Sequence, residues 1–434
     1  MNTNTTFRLW TFLLLMLSSV AAQATGGKDW VAAWATSHNA RLTTHDMSGR
    51  TVRMLLMPSV SGTHVRVKVE NTMGQTPVVF SAAFIGIAVG DSADIQPGSN
   101  RKLSFDGLPG LTLAAGQGAT SDAIPFSVRA FEKLSLSLDV VSAIDISVHV
   151  VGLRTNYSAL GARAADSTAD GFQPLPEIAT LNSGQWPFYW VAALDVKSEQ
   201  TAGSIVLLGD SITDGRCSTR DAALVVQPNL YQRWGDVLAR RIQAGPLQHR
   251  KAIANEGIAG NRILNRGNGP SALERVHRDV LAREGATHVV LFEGTNDIAG
   301  GFTALQIQEG GKLLIEKVHA AGMKIIGVTV IPRGRPAPET GWTAANEAQR
   351  LLLNHWIRRV ARFDGVIDFD ELMAGGPQVP LLGGGFAPQI PAAWNCDNTH
   401  PNAAGYQAMG DFVDLKLFRS TNGKEEGSRG SQKD

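Results

Sequence analysis

Only two of the 434 residues are cysteine, Cys217 and Cys396, so at most one intramolecular bridge can exist. An excess of charge is missing too: Lys+Arg 40 against Asp+Glu 39 leave a formal +1 at pH 7. No global field is available to gather phosphate backbones or anionic lipid, which argues against a nucleic-acid partner. Beyond the N-terminal segment no apolar run approaches the ~20 residues needed to span a bilayer. His, Cys and carboxylates nowhere fall at zinc-site spacing, so no metal and no other cofactor is expected. Internal repeats are absent as well.

What is present is an ordinary globular composition, 43% hydrophobic and 18% charged, enough to bury a sizeable core. The length suits two domains at one per ~150 residues. At the start, Arg8 precedes an apolar run from Leu9 to Val20, and Ala22-Gln23-Ala24 is a small-x-small cleavage site. That run is too short to span, so residues 1–24 read as an export signal. The mature chain is then expected to begin near Thr25, to be secreted or periplasmic, and to have no stable membrane insertion.

Two periodicities divide the rest. From Trp30 to Gly152 the pattern has period two: Val65-Arg66-Val67-Lys68-Val69-Glu70 alternates apolar and charged residues, as a strand with one wet face does. Thr51 to Met57 precedes it across Ser61-Gly62, which predicts a hairpin. With further candidates at Val78–Val89, Leu134–Val140 and Ile146–Val151, residues 25–180 read as a β-sandwich-like accessory domain. From Ser204 unbroken apolar runs take over, Ile205–Leu208, His288–Phe292 and Lys324–Val330, with helix-like stretches between them. These predict an α/β fold, a parallel sheet sandwiched by helices, over 204–419. The segment 181–203 reads as an interdomain linker, its aromatics Trp186 to Trp190 serving as a staple or, alternatively, a sugar-stacking surface. Residues 420–434, charged and Gly/Ser-rich, read as a disordered tail.

Four short segments carry chemistry. Gly209-Asp210-Ser211-Ile212-Thr213-Asp214-Gly215 follows a buried strand, which puts Ser211 at the carboxyl edge of the sheet where open α/β folds bind ligands. Taken alone, that serine could simply cap the next helix. A nucleophilic serine needs a base, and the base an acid to fix its tautomer; in Asp397-Asn398-Thr399-His400 the two stand one tight turn apart. Gly294-Thr295-Asn296-Asp297 follows another buried strand, and the Asn296 amide can donate to a developing oxyanion. In Asn255-Glu256-Gly257-Ile258-Ala259-Gly260-Asn261-Arg262, Gly260 lacks a Cβ, so its N–H can approach a substrate closely.

In this order, each at a sheet edge, the four segments resemble those of the SGNH hydrolases, the G-D-S-L-like lipase/acylhydrolase superfamily, over Ser204 to Phe418. The matching positions are Ser211, Gly260, Asn296 and His400, with Asp397 completing a triad. Ile212 stands where the short family name has leucine, and Glu293 precedes Gly294 without an assigned role. The resemblance implies that Ser211 attacks an acyl carbonyl while His400 takes its proton, with the oxyanion held by the N–H groups of Ser211 and Gly260 and by Asn296. Thr51-Val52-Arg53, Val65-Arg66-Val67 and Glu70-Asn71-Thr72-Met73-Gly74 are similar to the β-domain of secreted, xylan-esterase-like members.

If Ser211 and His400 touch, Cys217 and Cys396 are carried to one neighbourhood, and an exported chain meets oxidising conditions, so a disulfide is expected. Gly- and polar-rich loops such as Gly383-Gly384-Gly385 suggest a small-molecule or carbohydrate ester with a short acyl group, acetyl first. Trp394 can face a sugar or anchor its own loop. A lipase, phospholipase or thioesterase acting on longer chains is the alternative within hydrolases. A non-catalytic carbohydrate-binding protein is the alternative of another class.

Overall fold

The computed structural model describes residues 29–43, 45–176, 186–220, 225–334 and 342–419; the segments 1–24 and 420–434, expected to be an export signal and a tail, lie outside them. Among the described residues no helix is long and apolar enough to cross a membrane.

An antiparallel β half comes first. One sheet orders the strands Trp30–Ala35, Val191–Lys197, Gly62–Glu70 and Gly118–Thr120; a second centres on Arg50–Leu56, Leu134–Ser142 and Val78–Ile87. Their inner faces meet in one core that includes Val52, Met54, Val65, Val67, Val69, Leu136 and Trp190. Alternation thus places the right side chains inward, but the expected hairpin does not form. Arg50–Leu56 pairs with Leu134–Ser142 and Tyr157–Leu160, whereas Gly62–Glu70 pairs with Val191–Lys197. Pro58 lies in the connection and Ser59 N–H donates to Ala33 O instead, so the chain crosses between sheets.

The linker reading of 181–203 also needs correction. Val191–Lys197 is an interior strand of the first sheet, and Phe188–Tyr189 pairs with Ile146–His149. The sequence Val191-Ala192-Ala193-Leu194-Asp195-Val196 is wholly buried, as an interior strand must be. Phe188, Tyr189 and Trp190 are buried as well: Phe188 meets Trp34 edge-on at 4.9 Å and Trp190 meets Phe80 at 5.3 Å. Those three rings serve as a staple and offer no face to a sugar.

The α/β half has a five-stranded parallel sheet ordered Ala252–Gly257, Ser204–Gly209, Ala286–Phe292, Lys324–Val328, Gly365–Ile367. Alternate side chains enter opposite layers. Val206, Leu208, Val289 and Ile325 pack with Ile307, Leu314 and Trp356, while Ile205, Leu207, Val290 and Ile326 pack with Trp234, Tyr406 and Met409. Side-chain caps start the long helices: Thr303 accepts from Gln306 N–H and Thr343 from Asn346 N–H. Because the first strand in sequence lies inside the sheet, the chain leaves it to both sides. That opens a crevice between the carboxyl ends of Ser204–Gly209 and Ala286–Phe292.

The halves meet through two buried hydrogen bonds and a half-buried ion pair. Ser59 Oγ accepts from Ile253 N–H at 2.9 Å, Ser37 Oγ donates to Glu256 Oε2 at 2.6 Å, and Arg66 pairs with Glu284 at 2.6 Å.

Candidate active site

Ser211 opens a one-turn helix, Ser211–Asp214, just after the strand Ser204–Gly209, with Asp210 Oδ1 accepting from Ile212 N–H to start it. Its Oγ lies 2.7 Å from His400 Nε2. His400 Nδ1 faces both carboxylate oxygens of Asp397 at 2.9 Å. A carboxylate can only accept, so Nδ1 carries the proton and Nε2 is left to accept from the serine hydroxyl. Asp397 Oδ1 also accepts from the backbone N–H groups of Thr399 and His400, which closes the turn.

Electrostatics favour that proton arrangement. Burial alone would raise the Asp397 carboxyl, but the hydrogen bond and charge of His400 and the turn's N–H groups outweigh it and hold it well below the usual carboxylate range. Burial lowers His400; Asp397 opposes this in part, Arg216 and Arg333 add to it, and the ring stays below its ordinary value. A neutral imidazole beside an ionised carboxylate is the state a general base needs.

The other two segments reach the same crevice. Asn296 Nδ2 donates to Asn261 O at 3.0 Å and lies 3.5 Å from Asp210 Oδ2, so it joins the Gly260 loop to the residue before Ser211. Gly260 has φ +76°, a backbone conformation that favours glycine, and a Cβ there would displace the Asn268 amide, which would lie 2.4 Å away. Cys217 and Cys396 are disulfide-bonded, with Cα atoms 6.4 Å apart. Among the described residues the cluster with metal-like spacing is Cys217, Cys396 and Asp397; its sulfurs are bonded to each other and offer no thiolate. Trp394 is half-buried against the core beside Gly405, and Glu293 is buried against Arg275 at 3.4 Å.

Three buried carboxylates that sequence reading left without a role hold this geometry. Asp297 accepts from Ile263 and Leu264 N–H, Asp214 Oδ2 from Ala259 N–H at 2.8 Å, and Asp210 from Ile212 N–H. Burial is the chief reason that Asp210 is pushed up to about 7 and Asp297 to about 6. Their signal in the sequence was an acidic residue inside each apolar-flanked motif, where a solvated charge would be out of place.

A serine hydroxyl, a neutral imidazole and backbone donors at a sheet edge define a fold and site of the acyl-hydrolase type. Residues 207–408 match the GDSL-like lipase/acylhydrolase family, and this α/β half belongs to that family within the SGNH superfamily. The protein is a carboxylic ester hydrolase. No curated protein matches the chain. Among solved structures, Est24, a carbohydrate acetylesterase from Sinorhizobium meliloti, is similar at 18% identity over 48% of this chain and 94% of its own, TM-score 0.37. The M. smegmatis aryl esterase is similar at 18% over 48% and 94%, TM-score 0.37. A family two carbohydrate esterase from Cellvibrio japonicus aligns over 90% of this chain and 94% of its own, at 12% identity and TM-score 0.36.

Proposed function

We propose that the protein is an exported serine esterase that removes short acyl groups, acetyl first, from carbohydrate or aryl alcohols. Ser211 is the nucleophile, His400 the base that later protonates the leaving alcohol, and Asp397 the residue that orients it. The observation that carries this reading is the unbroken hydrogen-bond chain from Ser211 Oγ through His400 to Asp397, with neutral Nε2 turned to the hydroxyl. Ser211 N–H, Gly260 N–H and the Asn296 amide stabilise the tetrahedral oxyanion, and water then releases the acyl-enzyme. Arg262, half-exposed two residues after Gly260, puts a charged side chain on that loop, which favours a small acyl group with a hydrated alcohol. The N-terminal export pattern supports a secreted or periplasmic enzyme without membrane insertion, and the balanced charge supports a small-molecule or carbohydrate partner over nucleic acid.

Purified protein should hydrolyse p-nitrophenyl acetate, and Ser211→Ala or His400→Ala should abolish this while circular dichroism stays native. Each methylene buried in an acyl groove contributes ~0.8 kcal/mol, so a long-chain enzyme gains specificity with length. Here kcat/KM should fall from acetyl or butyryl to decanoyl. A maximum at dodecanoyl would replace the acetyl reading with a lipase, and full activity in Ser211→Ala would remove the nucleophile.

A further inference from the structure

His149 belongs to the β half, at the end of the strand Ile146–His149, yet its ring is buried against the nucleophile helix of the other half. Its Nδ1 lies 2.7 Å from Ser37 O and its Nε2 lies 3.0 Å from Asp214 Oδ1. Both partners are acceptors, and only an imidazolium donates from both nitrogens. Burial opposes that charge, but the Asp214 carboxylate beside it prevails and the ring titrates above its ordinary value.

The second oxygen of Asp214 is also committed, since Oδ2 accepts from Ala259 N–H at 2.8 Å, one residue before Gly260. The strand end bearing that loop has no slack behind it: a Cβ at Gly257 would come within 2.3 Å of Asp214 N. Arg233 Nε holds the Asp214 carbonyl at 2.5 Å and Arg233 Nη2 reaches back to Val151 O at 3.0 Å, a second tie between the same helix and the same strand end of the β half. Asp214 therefore sits between the two halves, one carboxylate oxygen on each.

We propose that His149 is a positioning residue for ester hydrolysis: as an imidazolium it fixes the Asp214 carboxylate, which fixes Ala259 N–H and so aims the neighbouring Gly260 N–H at the oxyanion. This rests on the roles given above to Ser211 and Gly260. On this account the β half completes the catalytic apparatus from behind, without touching substrate.

The test is steady-state kinetics on p-nitrophenyl acetate for His149→Ala, Asp214→Asn and the double variant, with Tm recorded for each. Misaiming a donor should cost less than deleting one, which costs 10²–10³ in kcat; a loss on the order of tenfold is expected for His149→Ala. KM should change little, because the lost interaction forms only in the transition state. If His149 acts through Asp214, the double variant is no slower than Asp214→Asn alone. His149→Gln, which keeps one donor, should recover part of kcat, and it carries the same comparison if His149→Ala does not fold. Wild-type kcat in a folded His149 variant overturns the proposal, as does an additive loss in the double variant. Ser211→Ala separates the two levels: if it is inactive while the His149 variants are unimpaired, only the positioning role fails.

Discussion

The guanidinium of Arg53, in the β half, ends in backbone carbonyls, whereas the buried arginines of the α/β half end in carboxylates. Arg53 donates to Ala93 O at 2.5 Å, Asp166 O at 2.6 Å and Ser137 Oγ at 2.8 Å, and covers the Phe172 ring at 3.9 Å. It knits loops onto a sheet. Arg275 pairs with Asp279 and Glu293, and it also donates to Glu256 O and Ser37 Oγ, to Gly209 O two residues before Ser211, and to Asn261 Oδ1 beside Gly260. Arg283 similarly pairs with Glu256 at 2.5 Å. Buried charge thus fixes the fold in one half, and in the other it aligns the strand ends that carry the site.

The comparison breaks most easily at Arg53. Arg53→Ala leaves buried acceptors without donors, each costing about 1–3 kcal/mol, so a loss on the order of 3–5 kcal/mol is expected. Urea unfolding should register that loss while kcat at 25 °C stays at the wild-type value. A matching fall in kcat would mean that the loops Arg53 holds also shape the site. Asn296→Ala should do the opposite. It should lower kcat by about 10²–10³, or ~2.7–4 kcal/mol, with unfolding little changed. Retained kcat there would remove Asn296 from the oxyanion hole.

The smallest expected effect is in pH. His400 must be neutral to act as base, so kcat/KM falls as pH drops through its folded-state pKa. Since burial sets that value below the ordinary 6.5, the acid limb should have its midpoint under pH 6.5. Asp397→Asn removes the group that raises His400, so in the activity that variant retains the acid limb should move to still lower pH. A wild-type midpoint above 6.5 would show that Asp397 outweighs burial.

Much of the site was legible because its chemistry demands particular residues at particular places. Asp397 and His400 stand three residues apart and meet across one turn, and Ser211 and Asn296 each follow a buried apolar run. What stayed hidden depends on contacts far apart in sequence. Alternation in Val65 to Glu70 told which face was wet but not which strand lay beside it, so a hairpin was expected where the chain crosses between sheets. Val191–Lys197 looked like a connector because it immediately precedes the first α/β strand; its partners, Trp30–Ala35 and Gly62–Glu70, lie more than a hundred residues earlier. His149 meets Asp214 across 65 residues and a change of fold, and no local pattern marks it.

The Cys217–Cys396 bond closes a covalent ring of chain, with 179 positions separating its two ends. Ser211 lies just outside that ring on one side and Asp397 with His400 just outside it on the other, while Gly260 and Asn296 lie on its circumference. A protease that cuts once anywhere along the ring therefore opens a loop without parting the nucleophile from its base. The bond converts a nick from a severed active site into a tethered pair of fragments, so proteolysis inside the ring leaves the hydrolytic residues on one covalent frame.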